Sequence, residues 1–238
     1  MTYETLSIKD RIKGNPYVGR GIVIGKSEDG KKAVFAYFIM GRSENSKNRV
    51  FVENGEEITI YPYDPSKVED PSLIIYSPVK VVGSDVIVTN GDQTDTVEEF
   101  LLKGECFKRA LKTRAFEPDA PNFTPRISGI LHLGEEFSYE MSILKSADEK
   151  GSACNRYFFD YEPIDGIGHF IHTYVTDGNP LPTFLGEPER VKIPNDIDEF
   201  ASEVWNNLDD NNKIAMHVRF IDLSSGEVES VTYNVHEV

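Results

Sequence analysis

Residues 73–95, LIIYSPVKVVGSDVIVTNGDQTD, decide how the rest of the chain is read. Two runs rich in β-branched residues flank Gly83-Ser84-Asp85, the pattern of a strand, a tight turn and a second strand, both buried on both faces. The second run stops at Thr89, Asn90, Gly91, Asp92, Gln93 and Thr94, and the spacing predicts a helix from about Asp95 or Thr96. Where a strand passes through a glycine into a helix N-terminus, backbone N–H groups point outward and can hold anions or amides. The 89–94 turn is therefore the first candidate site.

Upstream, Thr5 to Lys13 has the spacing of a short amphipathic helix with Leu6 and Ile12 for contact, ended by Gly14-Asn15-Pro16. Tyr17–Gly25 and Ala33–Met40 form a hairpin pattern around Glu28-Asp29-Gly30. Its glycines run G-x-G-x-x-x-G with no helix after them, which rejects a dinucleotide fingerprint and points to close backbone approach beside Arg20. The hairpin exits into the polar stretch Gly41–Arg49, where Glu44, Lys47 and Arg49 fit a solvated loop. Arg42 and Ser43 sit directly at the strand end and read either as a site or as a local cap.

Short strands follow at Val50-Phe51-Val52 and Ile58–Tyr61, then a proline-rich connection to Pro71. Beyond the deciding stretch, Thr96–Leu102 and Cys106–Arg114 carry helical spacing. The segment Phe116–Arg126 holds three prolines among Glu117, Asp119, Asn122 and Arg126, so its polar groups are held at low entropic cost. Strand patterns recur at 127–133, 137–144, 156–161, 168–175, 214–223 and 229–235, with a helix from about 194 to 208 opened by acids that suit the helix dipole. No repeat or compositional boundary divides the chain, which predicts one domain over 1–238. Consecutive hairpins with two groups of helices predict a layered α+β fold.

The chain has 238 residues, 39% hydrophobic, and a formal net charge of −15. That charge argues against nucleic acid or an anionic membrane as a partner, since both need a phosphate-neutralising face. The N-terminus lacks the order of a signal peptide and no run has the length of a membrane span, so the chain reads as cytoplasmic. Cys106 and Cys154 form no C-x-x-C, and Cys106 reads as a small buried hydrophobe. His169 and His172 point to opposite faces of a strand and bring no further ligand at spacing, so no metal site is predicted. No nucleophile elbow or Walker loop is present. What remains is a set of Arg, Tyr, Glu, Asp and Asn residues on stiff loops, suited to gripping a phosphate, orienting a carboxamide and moving a proton.

Four segments carry a resemblance: Asn15–Gly21, Gly41–Arg49, Thr89–Asp95 and Glu117–Ile127. In this order they resemble the IMP cyclohydrolase family of the archaeal type, which also has bacterial members, over roughly residues 15–193. The resemblance implies closure of 5-formamidoimidazole-4-carboxamide ribonucleotide to IMP with loss of water, a purine ribonucleotide as partner, no cofactor or metal, and a tendency to assemble as a homo-oligomer. It implies a four-layered αββα sandwich similar to N-terminal-nucleophile hydrolases, without their self-processed nucleophile. Carried over residue by residue, it makes Arg42 a contact of the phosphate or formyl oxygen and Tyr76 a donor to the developing oxyanion. Glu117 becomes the acid–base group, with Asp119 as its rival. Arg20 and Arg126 complete the phosphate grip, while Ser43, Asn90, Asp92, Thr94 and Asn122 line the substrate. Archaeal members have Ser-His where this chain has Asp92-Gln93. Local roles stay open beside these: Tyr76 as core, Arg126 as a loop cap, Asp92 as a helix cap.

Two other readings use the same residues. A nucleotide-binding protein without turnover would keep the cleft alone. An amide hydrolase acting on a related ribonucleotide would need an activated nucleophile, for which Cys106 or a threonine is a poor candidate.

Overall fold

The structure, a computed structural model, describes residues 4–68 and 75–236. Its centre is set by the longest unbroken apolar run of the chain, Ala33–Met40. In β2 (Lys32–Met40), Val34, Ala36, Phe38 and Met40 face one way and Ala33, Phe35, Tyr37 and Ile39 the other, and all are buried. A strand apolar on both faces must lie inside a sheet covered on both sides. It pairs with β1 (Arg20–Lys26) and with β12 (Lys213–Asp222). Outward from these lie β10 (Ile167–His172), β11 (Glu189–Lys192) and β13 (Val228–Asn234), giving a six-stranded antiparallel sheet in the order β11-β10-β1-β2-β12-β13 among the described residues.

The second antiparallel sheet contains β3 (Val50–Asn54), β4 (Glu57–Tyr61), β5 (Val79–Val82), β6 (Asp85–Thr89), β7 (Arg126–His132), β8 (Ser138–Ser146) and β9 (Cys154–Tyr161), paired in sequence order. Between the sheets, Ile22, Ile24, Phe35 and Tyr37 meet Val86, Val88, Ile127 and Met141. Gly129 of β7 stands against the Ile24 side chain of β1, where an added Cβ would run into Ile24 Cδ1, so the two sheets come close there. On the far side of the first sheet, α1 (Ile8–Ile12) and α5 (Ile197–Trp205) bury Ile8, Ile12, Phe200 and Val204 against Val23, Phe38 and Met216. On the far side of the second, Val97 of α3 (Gln93–Leu102) and Phe107 and Leu111 of α4 (Phe107–Lys112) pack on Ile87, Ile130 and Leu144. Each large side chain so buried contributes about 1.5–3 kcal/mol.

The architecture is thus α+β, with two antiparallel sheets. No helix among the described residues is long and apolar enough to cross a membrane.

Several local expectations change. The hairpin around Gly83 forms, but β5 begins at Val79, and Leu73 and Ile74 lie outside the described residues. β6 is buried on both faces, but β5 is not: of its four residues only Val79 is fully buried, because Lys80 turns to α3 and pairs with Asp95 and Glu98 at 2.8 and 2.6 Å. α3 starts at Gln93, earlier than the spacing predicted, because the Thr94 backbone N–H and hydroxyl already bond the Gly91 carbonyl at 3.3 and 3.0 Å. Cys106 is exposed rather than buried, since the apolar face of α4 is Phe107, Ala110 and Leu111 and Cys106 precedes it. The polar stretch after β2 contains a turn of helix, α2 (Glu44–Lys47), and β11 was not anticipated.

Candidate active site

A cleft of about 340 Å³ opens where β1 and β7 begin and β6 ends, within the size range of small-ligand sites. Arg20 enters it from the first residue of β1. Gly19 before it has φ +78° and no room for a side chain beside Thr173 and Tyr174, so the chain makes its sharp approach on a glycine. Arg49 enters from the residue before β3. Neither guanidinium forms an ion pair or hydrogen bond among the described residues, and each Nε is buried without a partner. Burial lowers the Arg49 pKa and the nearby positive Arg20 lowers it further. Burial also acts against Arg20, but the ring of Tyr17, Tyr76, Tyr174 and Tyr37 leaves its pKa raised overall. Two half-buried like charges without a counterion make a site that an anion would complete.

Tyr76 lines the same cleft, and its hydroxyl lies 3.2 Å from that of Tyr37 on β2. Burial holds the Tyr37 phenol well above its ordinary pKa, so it stays a neutral hydrogen-bonding group.

The floor is the turn between β6 and α3. The Asn90 side chain is held at both ends: its Oδ1 accepts from Ile127 N and Gln93 Nε2, both at 2.9 Å, and its Nδ2 donates to Pro125 O at 2.9 Å. Thr94 is buried below the floor, its hydroxyl 2.7 Å from that of Thr89. A Cβ on Gly91 would lie 2.7 Å from Arg126 Nη1 and 3.0 Å from Glu117 Oε1, so the missing side chain makes room for that pair.

Arg126, the first residue of β7, has one terminal nitrogen shared by three oxygens. Its Nη1 reaches Asp92 Oδ1 at 2.6 Å, Gln93 Oε1 at 2.6 Å and Glu117 Oε1 at 3.1 Å. Arg114 Nη2 holds the other Asp92 oxygen at 2.5 Å. Burial pushes the Asp92 carboxyl up, but these two arginines outweigh it and bring the pKa below the ordinary value. Asp92 precedes α3 yet makes no side-chain cap. Glu117 is set on its proline loop by a 2.9 Å bond from its N–H to Thr124 O.

Arg20, Tyr76, Asn90, Asp92, Glu117 and Arg126 therefore converge, while five other candidates lie off the lining. Arg42 pairs with Asp177 at 2.6 Å, donates to Gly178 O at 2.9 Å and lies 5.2 Å over the Tyr17 ring. Ser43 caps α2, accepting from Ser46 N at 3.1 Å. Asp119 accepts from Thr124 N at 2.7 Å and from the Thr124 hydroxyl. Asn122 Oδ1 accepts from Leu181 N at 3.1 Å, tying the proline loop to the 176–182 loop. Thr94 lies under the floor. Arg49, taken from the sequence as solvated, was overlooked; its place immediately before the apolar run Val50-Phe51-Val52 was the available signal. Arg114 and Tyr37 carried no signal, because each joins the site through a partner distant in sequence. Cys106 is outside the lining, so the cleft contains no thiol. Among the described residues, no three His, Cys, Asp or Glu side chains converge as a metal cage.

The chain is 33% identical to the IMP cyclohydrolase of Methanopyrus kandleri over 162 residues, which is 66% of this chain and 75% of that one. It is 33% identical to the IMP cyclohydrolase of Methanococcus maripaludis over 126 residues, 51% of this chain and 61% of that one. Against the IMP cyclohydrolase of Methanococcus aeolicus the identity is 32% over 163 residues, 66% of this chain and 74% of that one. The family described as IMP cyclohydrolase-like protein matches residues 17–226, a span that takes in every residue of the cleft, and the chain belongs to that family.

Proposed function

We infer that this chain is an IMP cyclohydrolase, closing 5-formamidoimidazole-4-carboxamide ribonucleotide to IMP with loss of water. The observation that carries the reading is one cleft holding two guanidiniums without counterions opposite a carboxylate already paired to a third. Counting Arg20, Arg49, Arg114 and Arg126 against Asp92 and Glu117 leaves a local charge of +2 in a chain of −15, which suits a dianionic phosphate monoester.

The reaction joins the carboxamide nitrogen to the formyl carbon, and the formyl oxygen takes up two protons and leaves as water. One proton comes from the attacking nitrogen and the other from the formamido nitrogen. Arg20 and Arg49 grip the phosphate, and the committed Asn90 and Thr94 keep the floor rigid beneath the heterocycle. The Glu117 carboxylate accepts the proton of the attacking nitrogen. Tyr76 donates to the oxygen as charge develops on it, with Tyr37 fixing its hydroxyl. Holding the two reacting groups in contact supplies about 7–11 kcal/mol of the barrier. Arg42, Asp119 and Asn122 secure the two loops at the rim. The helices outside each sheet support a four-layered αββα sandwich of the N-terminal-nucleophile type.

The test is absorbance of IMP formed from the formylated ribonucleotide by purified protein, with chelator present. Turnover is expected, and Glu117→Gln is expected to lower kcat by about 10²–10⁴-fold. Tight binding of the ribonucleotide with no IMP from the unsubstituted protein would reject the enzyme in favour of a binding protein.

A further inference from the structure

Four charged side chains form an alternating chain that begins outside the cleft and ends in it. Arg114 Nη2 bonds Asp92 Oδ2 at 2.5 Å, Asp92 Oδ1 bonds Arg126 Nη1 at 2.6 Å, and the same nitrogen lies 3.1 Å from Glu117 Oε1. Asp92 is the pivot. It stands where a helix cap belongs, yet both its oxygens are committed to guanidiniums from elsewhere in the fold. Arg126 is nearly buried, so the division of its charge between two carboxylates is poorly screened by water.

We propose that Asp92, anchored by Arg114, is a positioning residue that fixes the place and the basicity of Glu117 through Arg126. The proposal rests on the reading of Glu117 as the base of ring closure. With Asp92 present, Arg126 is shared, and a second negative charge stands close to Glu117. Both effects keep Glu117 a stronger base. Without Asp92, Arg126 would turn its whole charge on Glu117 and weaken it. Removing Arg114 does the reverse, because it deletes a positive charge and leaves Asp92 free to engage Arg126 more fully. The other charged and titratable groups around Glu117 are Arg20 on β1, Arg49 before β3, Tyr76 before β5 and Asp119 on its own loop. All are common to both variants, so their contributions cancel in the comparison.

The experiment uses the full chain and its Asp92→Asn and Arg114→Gln variants. The readouts are kcat/KM against pH and a ¹³C NMR titration of the Glu117 carboxyl, which needs no turnover and also reports whether each variant is folded. The acid limb and the carboxyl titration are expected to move to lower pH in Asp92→Asn and to higher pH in Arg114→Gln, each by about half a unit or more. In Asp92→Asn, kcat should fall about 10-fold with KM less affected, and Asp92→Glu should recover part of the loss. Unshifted or parallel titrations would overturn the proposal and leave Asp92 as a structural tie. Opposed NMR shifts in a protein that makes no IMP would support the coupling of Asp92 to Glu117 while rejecting the ring-closing reading.

Discussion

The hydroxyls of Tyr37 and Tyr76 meet at 3.2 Å, one carried by the first sheet and the other by the segment that leads into β5 of the second. Tyr76 faces the cleft and Tyr37 is buried behind it, so the second phenol orients the first. Tyr76→Phe is expected to lower kcat by about 10²–10³-fold, the usual cost of one oxyanion donor. Tyr37→Phe removes only the orienting bond and should cost about 3- to 10-fold. Steady-state kinetics on the two variants distinguishes a donor from its support; equal losses would argue against the assignment.

Arg20 and Arg49 are expected to act on binding. Arg49→Ala should raise KM for the ribonucleotide by about 10- to 100-fold, the worth of a charge-assisted contact, and lower kcat far less. Against the corresponding nucleoside, which lacks the phosphate, the same variant should lose little. A variant equally impaired on both substrates would move Arg49 away from the phosphate.

Gly91 bears on chemistry more than on stability. Its φ is not positive, so alanine brings no backbone strain there, but the added methyl meets Arg126, Gln93 and Glu117. Gly91→Ala should displace the base and lower kcat by about 10²-fold. Its Tm should fall by only about 2–4 °C, equivalent to about 1 kcal/mol in a chain of this length. Unchanged kinetics would mean that the Arg126–Glu117 pair yields without consequence.

His217 predicts an acid-sensitive fold. It is fully buried between the sheets, and burial, aided by the charge of Arg219, lowers its pKa from 6.5 to about 3. Between these values the unfolded chain binds a proton that the native chain refuses, so stability falls as pH drops from about 6.5 toward 3. The loss attributable to His217 is on the order of 2–4 kcal/mol. Thermal melts from pH 7 to pH 4 should show a shallower decline in His217→Gln than in the unsubstituted protein.

Much of this fold was legible because its central strands are unbroken apolar runs bounded by turn residues. The run from Ala33 to Met40 and the second strand of the hairpin around Gly83 could hardly be anything but buried sheet, and the consecutive hairpins of the second half follow from their turns. Helix starts were less legible, since α3 begins where Thr94 and Gln93 are drawn to Gly91, Asn90 and β7, partners that local spacing does not reveal. The site divided in the same way. Arg20, Tyr76 and Arg126 were found through the family resemblance, and Arg20 and Arg126 stand at the first residues of β1 and β7 while Tyr76 lies before β5. Arg49 was lost among charges that are in fact solvated. Arg42, two residues past the end of β2, spends its charge on Asp177, a partner 135 positions away.

The contact between Gly129 and Ile24 gives the cleft an unexpected dependence. Arg20 rides on one sheet and Glu117 and Arg126 on the connections and strands of the other, so the span across the cleft is gauged by how closely the sheets lie together. A side chain at residue 129 would act as a shim, widening that span from a point where it touches no substrate. The spacing between two slabs of the core is thus itself a dimension of the cleft.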